Sequence, residues 1–240
     1  MKKRQITIKD IAKALHISPS TVSRSLADHP DISQETKNIV NAYAREHKYK
    51  PNVLALSLRT NNTKTIGVIL PQIVHYFFSS VLSGIEDEAE KGGYRVIICQ
   101  SNENYEKEVK GAQALLEARV CGVLASVAKT TTIYNHFQEL IDSDIPMVFF
   151  DRICTGILTD RVVVDDYAGV CSAVEYLIRS GCRRIAFFGS PSHLAISNNR
   201  RMGYEDALRK NGLPVDKELI KICDNYTEAL RLTPELLSLP

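Results

Sequence analysis

The chain has 240 residues, 44% of them hydrophobic, enough for one large domain or two ordinary ones with a substantial core. No apolar run is long enough to cross a membrane, and the basic start MKKRQITIKD has no hydrophobic stretch behind it, so neither a spanning helix nor an export signal is expected. The net charge of +2 hides an asymmetry: residues 1–65 carry 12 Lys/Arg against 5 Asp/Glu, and residues 66–240 carry 18 against 23. A basic head on an acidic body is the electrostatic footprint expected of nucleic-acid binding by the head.

In chain order, the head reads as three short capped helices. Thr7 precedes the apolar-periodic run Ile8, Ile11, Ala12, Leu15 and is placed to cap its first turn, with Ile6 and Ile11 at the positions of a hydrophobic staple. Ser18 is a good N-cap for a second helix and Pro19 suits its first position, where the missing N–H costs nothing. Ile17 and Val22 form a second staple, and only His16 and Ile17 separate the two helices, which must therefore cross steeply. Val22 and Leu26 face inward, leaving Ser20, Thr21, Ser23 and Arg24 outward. Hydroxyls suit phosphates and base edges, and an arginine is the side chain that takes a bidentate guanine contact. Ser33 caps a third helix with Ile39, Val40 and Tyr43 expected on its inner side. A small helical domain that binds protein instead of DNA is the alternative.

The motifs T-x-x-D-I-A at 7–12, S-x-x-T-V-S-R at 18–24 and Y-x-P-N at 49–52 make the chain resemble the LacI/GalR family of bacterial repressors, and the resemblance continues more loosely through the rest. It implies that Pro19, Ser20 and Arg24 face the bases, and that Thr7, Ser18, Ser23 and Asn52 meet the phosphate backbone, with Thr21 on the same outward surface. Pro19 and Ser20 offer little base-edge chemistry, which gives Arg24 the larger share of direct readout.

Residues 52–59, NVLALSLR, are too few for a stable isolated helix and too apolar for an ordinary linker. Such a segment needs a partner: a second copy of itself in a dimer, with DNA beneath, or the core of its own chain. The resemblance implies the former, a hinge helix that folds on operator DNA, with Leu58 as an apolar wedge in the minor groove.

From Thr65 the period changes. Apolar runs predict strands at 66–70, 94–99, 120–125, 146–150, 162–165, 184–189 and 219–223, with helices near 78–91, 105–118, 132–142, 167–180 and 198–211. This alternation predicts parallel sheets covered by helices, with a ligand bound beyond the carboxyl ends of the strands. There the sequence places the aromatic run Tyr76, Phe77, Phe78, the charged pair Asp151–Arg152, and the polar stretch GSPSHLAISNNRRMGY. The alternatives are core packing for the aromatics and a salt bridge for the pair. The resemblance implies that Phe77, Phe78, Asp151 and Arg200 line an effector cleft, and Arg152 adjoins them. It also implies two lobes related to periplasmic sugar-binding proteins. The first lobe shows five strands and the second about two, so the second lobe is expected to be incomplete.

The expected organisation is thus an all-α helix-turn-helix head at 1–51, a hinge helix and linker at 52–64, and an α/β periplasmic-binding-protein-like core with parallel sheets at 65–240. The expected activity is that of a cytoplasmic transcription regulator, most simply a repressor. It would bind double-stranded operator DNA as a homodimer or higher assembly under control of a small-molecule effector, a sugar or related metabolite. A solute-binding protein sharing the core would require export and would not need the basic head. An enzyme finds no support in G-x-G-x-x-G, P-loop or G-x-S-x-G patterns, and Asp165–Asp166 reads as a helix cap. The six cysteines stand singly in apolar contexts without C-x-x-C, so buried reduced thiols are expected, with no metal site and no cofactor.

Overall fold

The computed structural model describes residues 6–50, 63–223 and 225–239, which divide into two compact units, Met1–Asn61 and Asn62–Pro240. The hinge residues Asn52 and Leu58 lie outside the described residues.

The head holds helices α1 (Ile8–Ala14), α2 (Pro19–Leu26) and α3 (Gln34–Glu46). Each begins where its local chemistry dictates. Thr7 and Asp10 form a reciprocal capping box, Thr7 N–H donating to Asp10 Oδ2 at 2.9 Å. Ser18 Oγ accepts from Thr21 N at 3.0 Å and Ser33 Oγ from Thr36 N at 3.3 Å. Between α1 and α2 the chain turns through His16 in the left-handed region, φ 52°. Ile11, Ala12, Val22, Val40 and Ala44 form the core, with both expected staple pairs, Ile6 with Ile11 and Ile17 with Val22, drawn into it. Ile39 departs from expectation: it is 51% exposed. The inner face of α3 runs through Lys37, Val40 and Ala44, and Ile39 lies off that stripe. Lys37 can occupy an inward position because its amine reaches Asp28 Oδ1 at 2.8 Å.

The first lobe of the core is a five-stranded parallel sheet ordered β2-β1-β3-β4-β5, from β1 (Thr65–Leu70), β2 (Arg95–Gln100), β3 (Gly122–Ala125), β4 (Met147–Phe150) and β5 (Asp160–Val162). Its helices are α4 (Tyr76–Lys91), α5 (Tyr105–Glu117) and α6 (Asn135–Asp142). Alternate residues of β1 feed opposite layers: Val68 and Leu70 pack with Phe78, Leu82 and Phe150, and Ile69 packs with Leu115, Phe137 and Phe149. A Cβ at Gly67 would meet Leu115 Cδ1 at 2.5 Å, so a larger residue there has to push the Leu115 side chain aside. The chain leaves β1 first toward β2 and then returns past it to β3, so the strand order reverses at β1 and opens a crevice at the carboxyl ends of β1 and β3.

The second lobe holds α7 (Asp166–Arg179), α8 (Ala195–Lys210), α9 (Tyr226–Leu237) and a two-stranded parallel sheet of β6 (Phe187–Gly189) and β7 (Ile220–Ile222). Its core joins Cys171, Val174, Ile185, Tyr204, Ala207 and Leu208.

Several expected boundaries move. Residues 162–165, expected as a buried strand, give β5 at Asp160–Val162, with Val162, Val163 and Val164 between 52% and 69% exposed on the sheet edge. Residues 184–189 yield a strand only at Phe187–Gly189, and α9 was not anticipated. All six cysteines are free, yet burial holds fully only for Cys154 and Cys171, and Cys182 is exposed.

Candidate nucleic-acid interface and effector cleft

On α2 the side chains Ser18, Pro19, Ser20 and Arg24 are exposed, while Thr21 and Ser23 are half-buried. The inward stripe explains the division. Val22 is fully buried, and Ser25 is buried with its hydroxyl donating to Thr21 O at 2.8 Å, which leaves Ser20 and Arg24 on the outward face with Thr21 and Ser23 at its margins. Thr21 is partly committed, its Oγ1 lying 2.8 Å from Ser18 Oγ at the helix start. Thr7 is exposed, with its hydroxyl donating to Asp10 Oδ2 at 2.7 Å. Lys37 is a residue that pattern reasoning missed. Its hydrogen bond and charge hold the Asp28 carboxyl below the usual carboxylate range, fixing the turn that follows α2. Asp28 itself takes φ 52° there.

In the core, the carboxyl ends of β1 and β4 bring four of the expected residues together, Phe77, Phe78, Asp151 and Arg152. Phe78 is buried at the start of α4, edge-on to Phe77 at 5.2 Å and to Phe150 at 6.4 Å. The Arg152 guanidinium lies 5.7 Å over the Phe78 ring. Phe77 is half-exposed and free to offer a stacking face. Asp151 ends β4 in the left-handed region, φ 58°, an uncommon conformation that a packed site maintains. Burial pushes its carboxyl above the usual range, while Arg152, Arg200 and the Ser126 hydroxyl pull it down and Asp166 adds to the rise. Both second-lobe groups are themselves paired: Asp166 opens α7, and Arg200 on α8 holds it through Nε to Oδ1 at 2.7 Å. Arg152 is tied most closely not to Asp151, 3.9 Å away, but to Glu103, whose two carboxylate oxygens both lie 2.8 Å from its Nη1.

In the segment Arg200–Tyr204, three residues have distinct structural tasks. Arg200 points to Asp166. Gly203 allows close approach to α7, since a Cβ there would stand 2.4 Å from Tyr167 O. Tyr204 is 1% exposed, stacks on Phe187 and donates to Ile185 O at 2.7 Å. Asp165 caps α7 by accepting from Ala168 N at 2.9 Å, as expected of that pair, whereas its neighbour Asp166 turns to Arg200.

Glu103, Ser126 and Asp166 did not stand out in the sequence, yet Glu103 holds Arg152 and the other two bear on Asp151. The Ser197 hydroxyl is buried without a hydrogen-bond partner, and the Ser126 hydroxyl is buried beside the Asp151 carboxyl. The available signal was position: Ser126 directly follows β3 as Asp151 directly follows β4, at the strand ends where ligands bind. The first turns of α4 and α8 have no side-chain cap, leaving backbone donors open. Beneath the loop after β3, buried Glu108 accepts from Ala128 N, Thr131 Oγ1 and the His136 ring at 2.6, 2.7 and 3.1 Å, a scaffold for the loop. The lobes also touch where His193 Nε2 meets Lys129 O at 2.5 Å. Among the described residues no group of three His, Cys, Asp or Glu is arranged to hold a metal ion, and no helix is long and apolar enough to cross a membrane.

Residues 7–52 match the family of bacterial regulatory proteins of lacI type, and residues 63–240 match the periplasmic binding proteins and sugar binding domain of the LacI family. The HTH-type transcriptional regulator RegA of Clostridium saccharobutylicum is 34% identical over 89% of this chain and 64% of its own length. The ribose operon repressor of Bacillus subtilis (strain 168) is 34% identical over 97% of this chain and 69% of its own, and catabolite control protein A of Priestia megaterium is 30% identical over 97% and 70%. The chain therefore spans 64 to 70% of the length of these relatives. Among solved structures, the lac repressor dimer bound to operator and the anti-inducer ONPF aligns with a TM-score of 0.80 at 21% identity, covering 98% of this chain and 70% of that one, a likeness of fold. The transcription regulator CcpA of Lactococcus lactis aligns with a TM-score of 0.65 at 25% identity, over 72% of this chain and 63% of that one. With both of its parts matched, the chain belongs to the LacI family of bacterial regulatory proteins.

Proposed function

We propose that the protein is a transcription regulator, a repressor in the simplest form, that grips operator DNA as a homodimer and releases or tightens its hold in response to a small-molecule effector. The observation that carries the reading is α2, capped by Ser18 and presenting Ser20 and Arg24 to solvent on a basic head. In this reading residues 1–51 dock α2 in the major groove, with Arg24 on a guanine edge and Ser18, Pro19, Ser20, Thr21 and Ser23 against bases and backbone. Thr7 adds a backbone contact, as does Asn52 in the 52–64 hinge. Leu58 of the same hinge enters the minor groove, and deformation of the DNA supplies specificity that a recognition helix of small side chains does not.

Residues 65–240 carry the effector between lobes, against Phe77, Phe78, Asp151, Arg152 and Arg200. Effector binding changes the equilibrium between lobe arrangements only to the extent that it prefers one of them, and that preference is the coupling felt at the DNA. The uncovered β2 edge, with Ile97 and Ile98 exposed at 39% and 37%, supports a dimer contact on the first lobe. The protein works in the cytoplasm and catalyses no reaction. Relatives named as operon repressors and transcription regulators support this reading. Selection of bound duplexes from a random pool by the full chain, with and without candidate sugars and nucleobases, tests it. Enrichment of a pseudo-palindromic sequence that shifts with one compound is the expected result, and no enrichment under any condition rejects it.

A further inference from the structure

We infer that Glu103 sets the charge selectivity of the effector cleft. By holding Arg152 in an ion pair, it fits the cleft to an uncharged, hydroxyl-bearing ligand and against the phosphate ester of the same compound. This deepens the effector reading above and rests on it.

Both arginines that bear on Asp151 already have carboxylate partners. Arg152 Nη1 sits 2.8 Å from both Glu103 oxygens, the two side chains being 13% and 19% exposed, and Arg200 Nε sits 2.7 Å from Asp166 Oδ1. Arg152 and Arg200 are thus balanced by Glu103 and Asp166, and Asp151 remains as surplus negative charge. A phosphate brought among these groups gains no unspent cation from them and meets an uncompensated carboxylate in partly buried surroundings, where like charges repel strongly. The open first turns of α4 and α8 favour an anion by themselves, but their partial backbone charges are opposed by the one whole carboxylate charge that remains once both arginines are paired.

A neutral ligand with hydroxyl groups meets complementary chemistry. The Asp151 carboxylate accepts, the remaining arginine N–H groups donate, and the buried Ser126 hydroxyl beside Asp151 adds a further polar group.

Glu103 is built into its position. Asn102 and Glu103 take φ 52° and 57°, two successive left-handed residues without glycine, a strained turn that its contacts maintain. Those contacts are Lys129 N–H donating to Glu103 Oε2 at 2.8 Å and Thr130 Oγ1 donating to Glu103 O at 3.0 Å. If Arg152 swung to an anionic ligand, it would leave the Glu103 carboxylate unpaired beside that ligand.

The test is calorimetric titration of the full chain, without DNA, with inorganic phosphate and with ribose and glucose, each against its terminal phosphate ester. Wild type is expected to show no saturable binding of inorganic phosphate or either ester. Glu103→Gln keeps the turn and its shape but releases Arg152. It is expected to gain affinity for phosphate and the esters by about tenfold or more, a change equivalent to about 1.4 kcal/mol. Arg152→Ala introduced into Glu103→Gln should abolish the gain. Loss of fold cannot mimic a gain of binding, and thermal melts of each variant check the fold directly. Wild type binding an ester as well as its parent sugar, or Glu103→Gln gaining nothing, overturns the inference. If neither sugar binds but the phosphate arm behaves as expected, charge selectivity stands and the sugar reading of the effector falls.

Discussion

Gly203→Ala is a sharp test of how the two lobes are joined to the cleft. In an open helix the change is stabilising, because alanine is favoured over glycine by about 1 kcal/mol. At Gly203 the added Cβ would stand 2.4 Å from Tyr167 O, 3.2 Å from Tyr167 C and 3.3 Å from Cys171 N. All three are backbone atoms, so no rotamer change relieves the clash and α8 must move off α7. Overpacking of this kind costs about 1–3 kcal/mol or more. With contact this short the upper end applies, leaving a net loss of about 2 kcal/mol after the helix gain. For a unit of this size that corresponds to a fall of about 4–8 °C in Tm. Gly169→Ala is the matched control, since nothing lies within 4 Å of its Cβ position on α7, and it should be neutral or raise Tm slightly. Differential scanning calorimetry of both variants measures the difference. Moving α8 also displaces Arg200 from Asp166, so Gly203→Ala should weaken effector binding as well. Equal melting temperatures for the two variants would refute the close-packing explanation of this glycine.

Other perturbations separate the parts. Arg24→Ala should cost about 1–3 kcal/mol of discrimination between operator and non-operator duplex while keeping salt-dependent non-specific binding; unchanged discrimination in competition assays removes Arg24 from base readout. Leu58→Ala should reduce operator bending in a circular-permutation gel assay, and normal bending rejects the wedge. Asp151→Asn should stabilise the core at neutral pH, because burial raises the carboxyl in the folded state and ionising it there opposes folding. The sign follows from the raised value: the unfavourable contribution is absent below the ordinary aspartate value of 3.8 and grows as pH rises toward the folded value. The Tm gain of Asp151→Asn should therefore shrink as pH falls toward 3.8, and a gain independent of pH would show another cause.

Local chemistry was legible in the sequence where one residue acts on its own backbone. Thr7, Ser18, Ser33 and Asp165 all cap the helices they were expected to cap, because a short side-chain oxygen answers an orphan N–H two or three residues on. Long-range choices were not legible. Ile39 is outside and Lys37 inside because an amine found a carboxylate nine residues away, which periodicity does not encode. The valines at 162–164 read as core, yet they lie at the free edge of the sheet, where strand order and not hydrophobicity decides exposure. In the cleft, the aromatic pair and Asp151–Arg152 stood out by composition. Glu103 and Asp166 did not, since a loop glutamate and one of two aspartates read as a helix cap are ordinary until a distant arginine meets them.

The most direct measurement is competitive binding of the full chain to its selected duplex against random-sequence DNA at moderate salt, titrated across candidate effectors. A helix-turn-helix reader discriminates by about 10³ or more under such conditions, and one compound should change that ratio. Equal affinity for selected and random DNA, whatever compound is present, would contradict α2 as a reader of sequence.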